Sequence, residues 1–174
     1  RTMVLTNQSL DELTGAKIYF KCENFQKTGS FKIRGATNAV LQLTKRELSR
    51  GIITASSGNH GAALSMAVSN VGSTTKVVMP KNTPKVKVLN VERNGGEIIW
   101  CDSNQISREQ VLKSEIKKTG SVLVHPYNDE RIVAGQATVA KEFLEDIPEL
   151  DAIVSPVSGG GLLAGALCSV DHMN

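Results

Sequence analysis

Lys32 sits between Phe31 and Ile33 in the run 25–35 (FQKTGSFKIRG), and these surroundings suit a nucleophilic amine. It opens a predicted helix, where the positive end of the backbone dipole disfavours a cation. Apolar neighbours add desolvation, and both effects lower an amine's pKa, as attack on an aldehyde requires. Taken alone, a lysine here reads first as a surface residue, and Lys27, Lys32 and Arg34 are candidate anion contacts. Residues 56–61 (SSGNHG) place Ser56, Ser57, Asn59 and His60 at a strand-to-helix junction. The glycines let backbone approach a ligand while the hydroxyls and amide offer donors at the helix start. The alternative is an N-cap serine with turn residues, and a His60 that is only structural. A third motif is Ser158, Gly159, Gly160, Gly161 and Leu162. Consecutive glycines opening a helix form either a tight turn or a backbone N–H cradle for phosphate. The motif lacks the Gly-Lys-Ser/Thr ending of a nucleotide loop and the spaced glycines of a dinucleotide fingerprint. Together the three motifs suit a small cofactor carrying an aldehyde and a phosphate.

The elements that must position them alternate. Residues 17–22, 52–55, 76–79, 97–101, 121–124 and 152–155 read as strands, built on apolar runs rather than alternation as in sheets covered on both faces. Between them Thr83-Pro84 predicts an N-cap and a first-turn proline, with Gly95-Gly96 as the stop. Ser107 to Gln110 predicts a capping box for a helix that ends at Gly120. Repeated strand–helix–strand units argue for an α/β fold with parallel sheet and crossover helices, whose ligands bind at the carboxyl ends of strands. The polar run 45–50 (KRELSR) reads as a crossing between lobes.

Composition narrows the classes. The 174 residues are 40% hydrophobic and 21% charged, one domain or two small lobes against a prior of roughly 100–200 residues per domain. A net charge of +3, scattered basic residues and 4% aromatics argue against nucleic acid as a partner. Lys85, Lys87 and Arg93 read as a solvated helix face. Cys22, Cys101 and Cys168 are widely spaced, and Cys22 and Cys101 read as buried free thiols of a reducing, cytoplasmic compartment. Three histidines without paired acidic spacing leave no metal site expected in this chain. No secretory signal is expected from Arg1-Thr2-Met3. The uncharged run 152–170 nears a membrane span in length, but Pro156 and the triple glycine favour a turn.

FQKTGSFKIRG, SSGNHGAAL and PVSGGGLLAG, in this order, closely resemble the serine racemase and threonine/serine dehydratase group of tryptophan-synthase-β-like pyridoxal-phosphate enzymes. Residues 125–129 (HPYND) and 134–140 (AGQATVA) resemble family segments too. The resemblance implies two lobes, each with a mostly parallel sheet flanked by helices. A small lobe of 51–128 is inserted into a large lobe of 1–50 and 129–174 that is incomplete at its C-terminal side, and CSVDHMN departs from the family's helix there. It implies pyridoxal 5'-phosphate bonded to Lys32, with Phe31 beside the ring, Asn59 on the phenolic oxygen, and Ser158, Gly159, Gly160, Gly161 and Leu162 on the phosphate. Ser56, Ser57, Asn59, His60 and Arg108 match substrate-binding positions. Lys27 and Thr28 match part of a nucleotide site, so Mg2+ and ATP enter as activators, although Ala62 and Asn94 depart from that site's glutamine and tyrosine. Val86 stands where some animal relatives carry a regulatory cysteine.

The implied chemistry is racemisation of serine, with Lys32 moving the α-proton on one face and Ser57 on the other, accompanied by elimination to pyruvate and ammonia. Dehydratases with little racemase activity often have Ala at the Ser57 position, so Ser-Ser-Gly-Asn favours racemase. The alternatives are a threonine/serine dehydratase or a truncated, catalytically silent chain. A homodimer acting on a small amino acid, without nucleic acid or membrane, is the expected setting.

Overall fold

The computed structural model describes residues 1–173; Asn174, the last residue of the expected large lobe, lies outside them. The chain begins with a short antiparallel pair, β1 (Val4–Thr6) against β2 (Tyr19–Lys21), Val4 opposite Lys21. Between them runs α1 (Gln8–Thr14), capped by Asn7 and stopped at Gly15. The predicted strand over 17–22 is thus shorter and antiparallel, because its partner is the three-residue β1, too short to show a period. A single 3-10 turn, Glu23–Phe25, leads to α2 (Lys32–Leu41). The polar run after it is α3 (Lys45–Ser49), started by a reciprocal pair in which Thr44 Oγ1 accepts from Glu47 N–H and the Glu47 carboxylate from Thr44 N–H.

Strict alternation follows: β3 (Ile52–Ala55), α4 (Asn59–Ser69), β4 (Thr75–Pro80), α5 (Lys85–Arg93), β5 (Gly96–Cys101), α6 (Gln105–Thr119) and β6 (Val122–Leu123). The four strands form one parallel sheet in the order β5-β4-β3-β6, with Ile52 paired to both Thr75 and Val122. Both faces are covered. Val77 and Met79 pack with Ala62 of α4 and Val91 of α5, while Ile53 and Val78 pack with Val111, Leu112 and Ile116 of α6. Burial on both faces explains why these strands are unbroken apolar runs.

Helices α7 (Glu130–Asp146) and α8 (Gly161–Met173) complete the chain. Helices α2 and α7 cross at Gly35 and Gly135, where a Cβ on either glycine would come 2.7 Å from a backbone carbonyl of the other helix. At that crossing Gln136 Oε1 accepts from Gly35 N–H at 3.2 Å. The largest apolar cluster joins Ile33, Ala36 and Val40 of α2 to Leu64 and Val68 of α4, and extends to Ile132 of α7.

Three sequence expectations are corrected. Residues 152–155 are not a strand: among the described residues nothing pairs with them, and Val154 is 95% exposed. Thr83 does not cap α5; Pro84 holds the N-cap position, and Thr83 Oγ1 is buried without a partner. Helix α6 starts before Ser107, because Asn104 accepts from Ser107 N–H at 2.7 Å while Ser107 Oγ accepts from Asp102 N–H. Helix α8 runs through CSVDHM without a break. Cys22 and Cys101 are buried free thiols, Cys168 is an exposed one, and Lys85, Lys87 and Arg93 are exposed. No helix among the described residues is long and apolar enough to cross a membrane.

Candidate active site

Because β4 and β5 build outward from one side of β3 and β6 adds to the other, the strand order reverses between β3 and β6. Open parallel sheets bind ligands in the crevice at that reversal, beyond the strand carboxyl ends. Here the crevice is flanked by residues 56–61 after β3 and residues 124–129 after β6.

The second segment gathers the others. Lys32, the first residue of α2, is half-buried and donates from Nζ to Pro126 O at 2.7 Å, with Nζ 5.3 Å from the Phe31 ring centre. Burial pushes its pKa below the ordinary lysine value, and the partner that holds its amine is a neutral carbonyl. His60 is only 3% exposed, with Nε2 3.4 Å from Val124 O. Burial first, then the Lys32 charge, pushes its pKa down to about 3, so the ring is neutral at pH 7. In the tautomer that donates from Nε2, Nδ1 is a buried acceptor without a partner.

Ser56 builds the loop before it. Its Oγ accepts from Gly61 N–H at 3.1 Å and Gly58 N–H at 3.3 Å, opening α4 where Gly58 has no side chain to do so. The alternative reading of an N-cap serine therefore holds for Ser56. Ser57 and Asn59 are exposed, and among the described residues their side chains make no hydrogen bond. They remain free for a ligand.

The glycine loop meets the crevice through Tyr127. A Cβ on Gly159 would overlap the Tyr127 ring, and one on Gly161 would stand 3.2 Å from Tyr127 Cα. Gly160 adopts φ 84°, and among the described residues no acceptor serves the N–H groups of residues 158–161. Ser158 and Gly159 are exposed, Leu162 half-buried. Free N–H donors at the start of α8, with positive helix polarity behind them, make an anion cradle. Phe31, Lys32, Asn59 and this cradle thus offer the donor set that a phosphorylated aldehyde needs: an amine held by burial at lowered pKa, a free amide, and unserved backbone N–H groups.

Other expected residues lie apart. Arg108, in the first turn of α6, is half-buried near Cys101 at the carboxyl end of β5; its Nε is buried without a partner, and no hydrogen bond joins it to the Ser57 loop. Lys27 is exposed and Thr28 Oγ1 is buried without a partner. Arg34 is no anion contact: Glu23 and Glu142 take its guanidinium at 2.7–2.8 Å. The Pro126 carbonyl and the Tyr127 ring were not among the sequence candidates, though HPYND directly after a strand marks their place. Among the described residues no group of three or more His, Cys, Asp or Glu side chains could hold a metal ion.

Comparison with known proteins follows this geometry. The pattern of the pyridoxal-phosphate dependent enzyme family matches residues 1–171. Serine racemase of Arabidopsis thaliana is 53% identical over 165 residues, covering 95% of this chain and 50% of that protein. A β-hydroxyaspartate dehydratase of Paracoccus denitrificans is 48% identical over 173 residues, covering 99% of this chain and 55% of that protein. The solved structure of maize serine racemase superposes with a TM-score of 0.98 at 46% identity, covering 99% of this chain and 53% of that one. The chain spans about half the length of the relatives it matches.

Proposed function

Since this chain belongs to the pyridoxal-phosphate dependent enzyme family, we propose that it interconverts L- and D-serine and also eliminates water from serine, the released enamine then taking up water to give pyruvate and ammonia. The observation that carries this reading is the 124–129 segment, where Pro126 O takes the Lys32 amine and Tyr127 lies against Gly159 of the glycine loop; the exposed Ser57 and Asn59 side chains support it. When bound, pyridoxal phosphate supplies an electron sink for charge developing at the substrate's α-carbon.

The chain's own residues do the rest. The 158–161 loop and the start of α8 hold the phosphate, Phe31 packs beside the ring, and Asn59 bonds the phenolic oxygen. The Lys32 amine, kept ready by burial, takes the α-proton from one face. The exposed Ser57 hydroxyl serves the other. Ser56, Asn59, His60 and Arg108 form the substrate set. Ser56 and His60 act by shaping the loop, since both are engaged with backbone. The dehydratase reading within the same site is supported by the Paracoccus denitrificans likeness.

The lobe division belongs to the same proposal: 51–128 small, 1–50 with 129–174 large, supported by a parallel sheet drawn wholly from β3 to β6. So do Mg2+ and ATP as activators, with Lys27 and Thr28 at the nucleotide, a homodimer, and a cytoplasmic setting, for which the buried free thiols Cys22 and Cys101 are the support.

The test is the visible spectrum of the chain with pyridoxal phosphate, before and after borohydride, beside Lys32→Ala. A Schiff-base band fixed to Lys32 and absent from the variant is expected; no band overturns the reading. Chirally resolved assays with each serine enantiomer follow. Ser57→Ala should lower racemisation by about a hundredfold and elimination far less. Unchanged racemisation would remove Ser57 from its role.

A further inference from the structure

We propose that Tyr127 is a positioning residue: its ring braces the 158–161 glycine loop against the segment that holds Lys32, and so sets the spacing between the phosphate cradle and the amine. The inference rests on the cofactor reading above. Three contacts carry it. The ring lies so close on Gly159 that no side chain could stand there, and a Cβ on Gly161 would stand 3.2 Å from Tyr127 Cα. One residue earlier, Pro126 O takes the Lys32 amine at 2.7 Å. Behind it, the His125 ring meets Tyr127 edge-on at 4.6 Å and 86°, while His125 Nδ1 accepts from Asn128 N–H at 2.9 Å and fixes the turn.

Two anchors from distant parts of the chain are therefore joined through one rigid aromatic side chain. Among the described residues the hydrogen bond of Tyr127 is that of its backbone N–H, to His125 Nδ1 at 3.4 Å, so the ring braces by contact alone. A ligand held at two points gains from the second only when the anchors are correctly spaced. The brace therefore shows in what the phosphate adds, not in whether Lys32 reacts.

The experiment compares pyridoxal phosphate with pyridoxal, the same aldehyde without phosphate. Lys32 condenses with either, releasing water; borohydride delivers hydride to the resulting C=N bond, and the adduct is quantified by mass spectrometry across aldehyde concentrations. The unaltered chain should prefer pyridoxal phosphate strongly, and Tyr127→Phe should keep that preference. Tyr127→Ala should cut it by about tenfold while pyridoxal still reacts, with Tyr127→Leu in between. An undiminished preference in Tyr127→Ala, equal loss of both aldehydes, or a Phe variant as poor as Ala overturns the inference. If the unaltered chain forms no adduct at Lys32 with either aldehyde, the cofactor reading falls, and the inference with it.

Discussion

His60 shows how a residue's neighbours fix its protonation. Its imidazole is buried at the end of β6, beside Lys32, and is held neutral, with the folded pKa near 3 against an ordinary 6.5. The unfolded chain therefore binds more protons than the folded one between those values. Stability from this group is complete above about pH 6.5 and drains away as pH falls toward 3. At pH 5 the loss is about 2 kcal/mol. The lowered carboxylates, Glu142 at about 2 among them, titrate below this upper window, whereas His125 adds to it in the same direction. Urea denaturation at pH 7 and pH 5 should show the drop, and His60→Gln should reduce it; an equal drop in the variant would locate it elsewhere. Sequence identified His60 as a residue of the substrate loop, but its bond to Val124 O depends on a strand far along the chain, which spacing cannot reveal.

At the scale of elements, the amine depends on how α2 is seated. Arg34, two residues after Lys32 in α2, is joined to Glu23 before the helix and Glu142 on α7; its side chain is 8% exposed. Hydrogen bonds and charge from Arg34 hold the Glu142 carboxyl near 2, well below its ordinary value. Arg34→Leu leaves the shielded Glu23 carboxylate without its cation, while Glu142 keeps Lys21 at 3.2 Å, and should cost about 3 kcal/mol in urea denaturation. A loss below about 1 kcal/mol would make the cluster no more than a surface ion pair. The parallel strands and their helices were legible in the sequence because burial on two faces leaves apolar runs. Helix starts were less so. Thr83 and Ser107 are good capping residues by type, but Asn104 stands three residues before Ser107 and captures that cap. Arg34 read as an anion site because Glu142 lies on a distant helix and Glu23 stands eleven residues earlier, where no helical or strand spacing joins the two.

For the molecule as a whole, the α/β class followed from alternation, whereas strand order did not, since no local signal says that β6 returns to the far side of β3. Residues 152–155 kept the composition of a strand, yet among the described residues none pairs with them. Strand order has a dynamic consequence. β3 and β6 share only two residue pairs, against six between β4 and β5. The crevice therefore opens along the thinnest ladder in the sheet, held by bonds such as Val122 N–H to Gly51 O and Val124 N–H to Ile53 O. Amide hydrogen exchange should be faster at Val122 and Val124 than at Val77 and Val78, and a ligand spanning the crevice should slow the first pair most. Uniform exchange across the sheet would contradict this. Occupancy would then act as a stitch across a seam, so that the region asked to recognise the ligand is also the one whose folding the ligand completes.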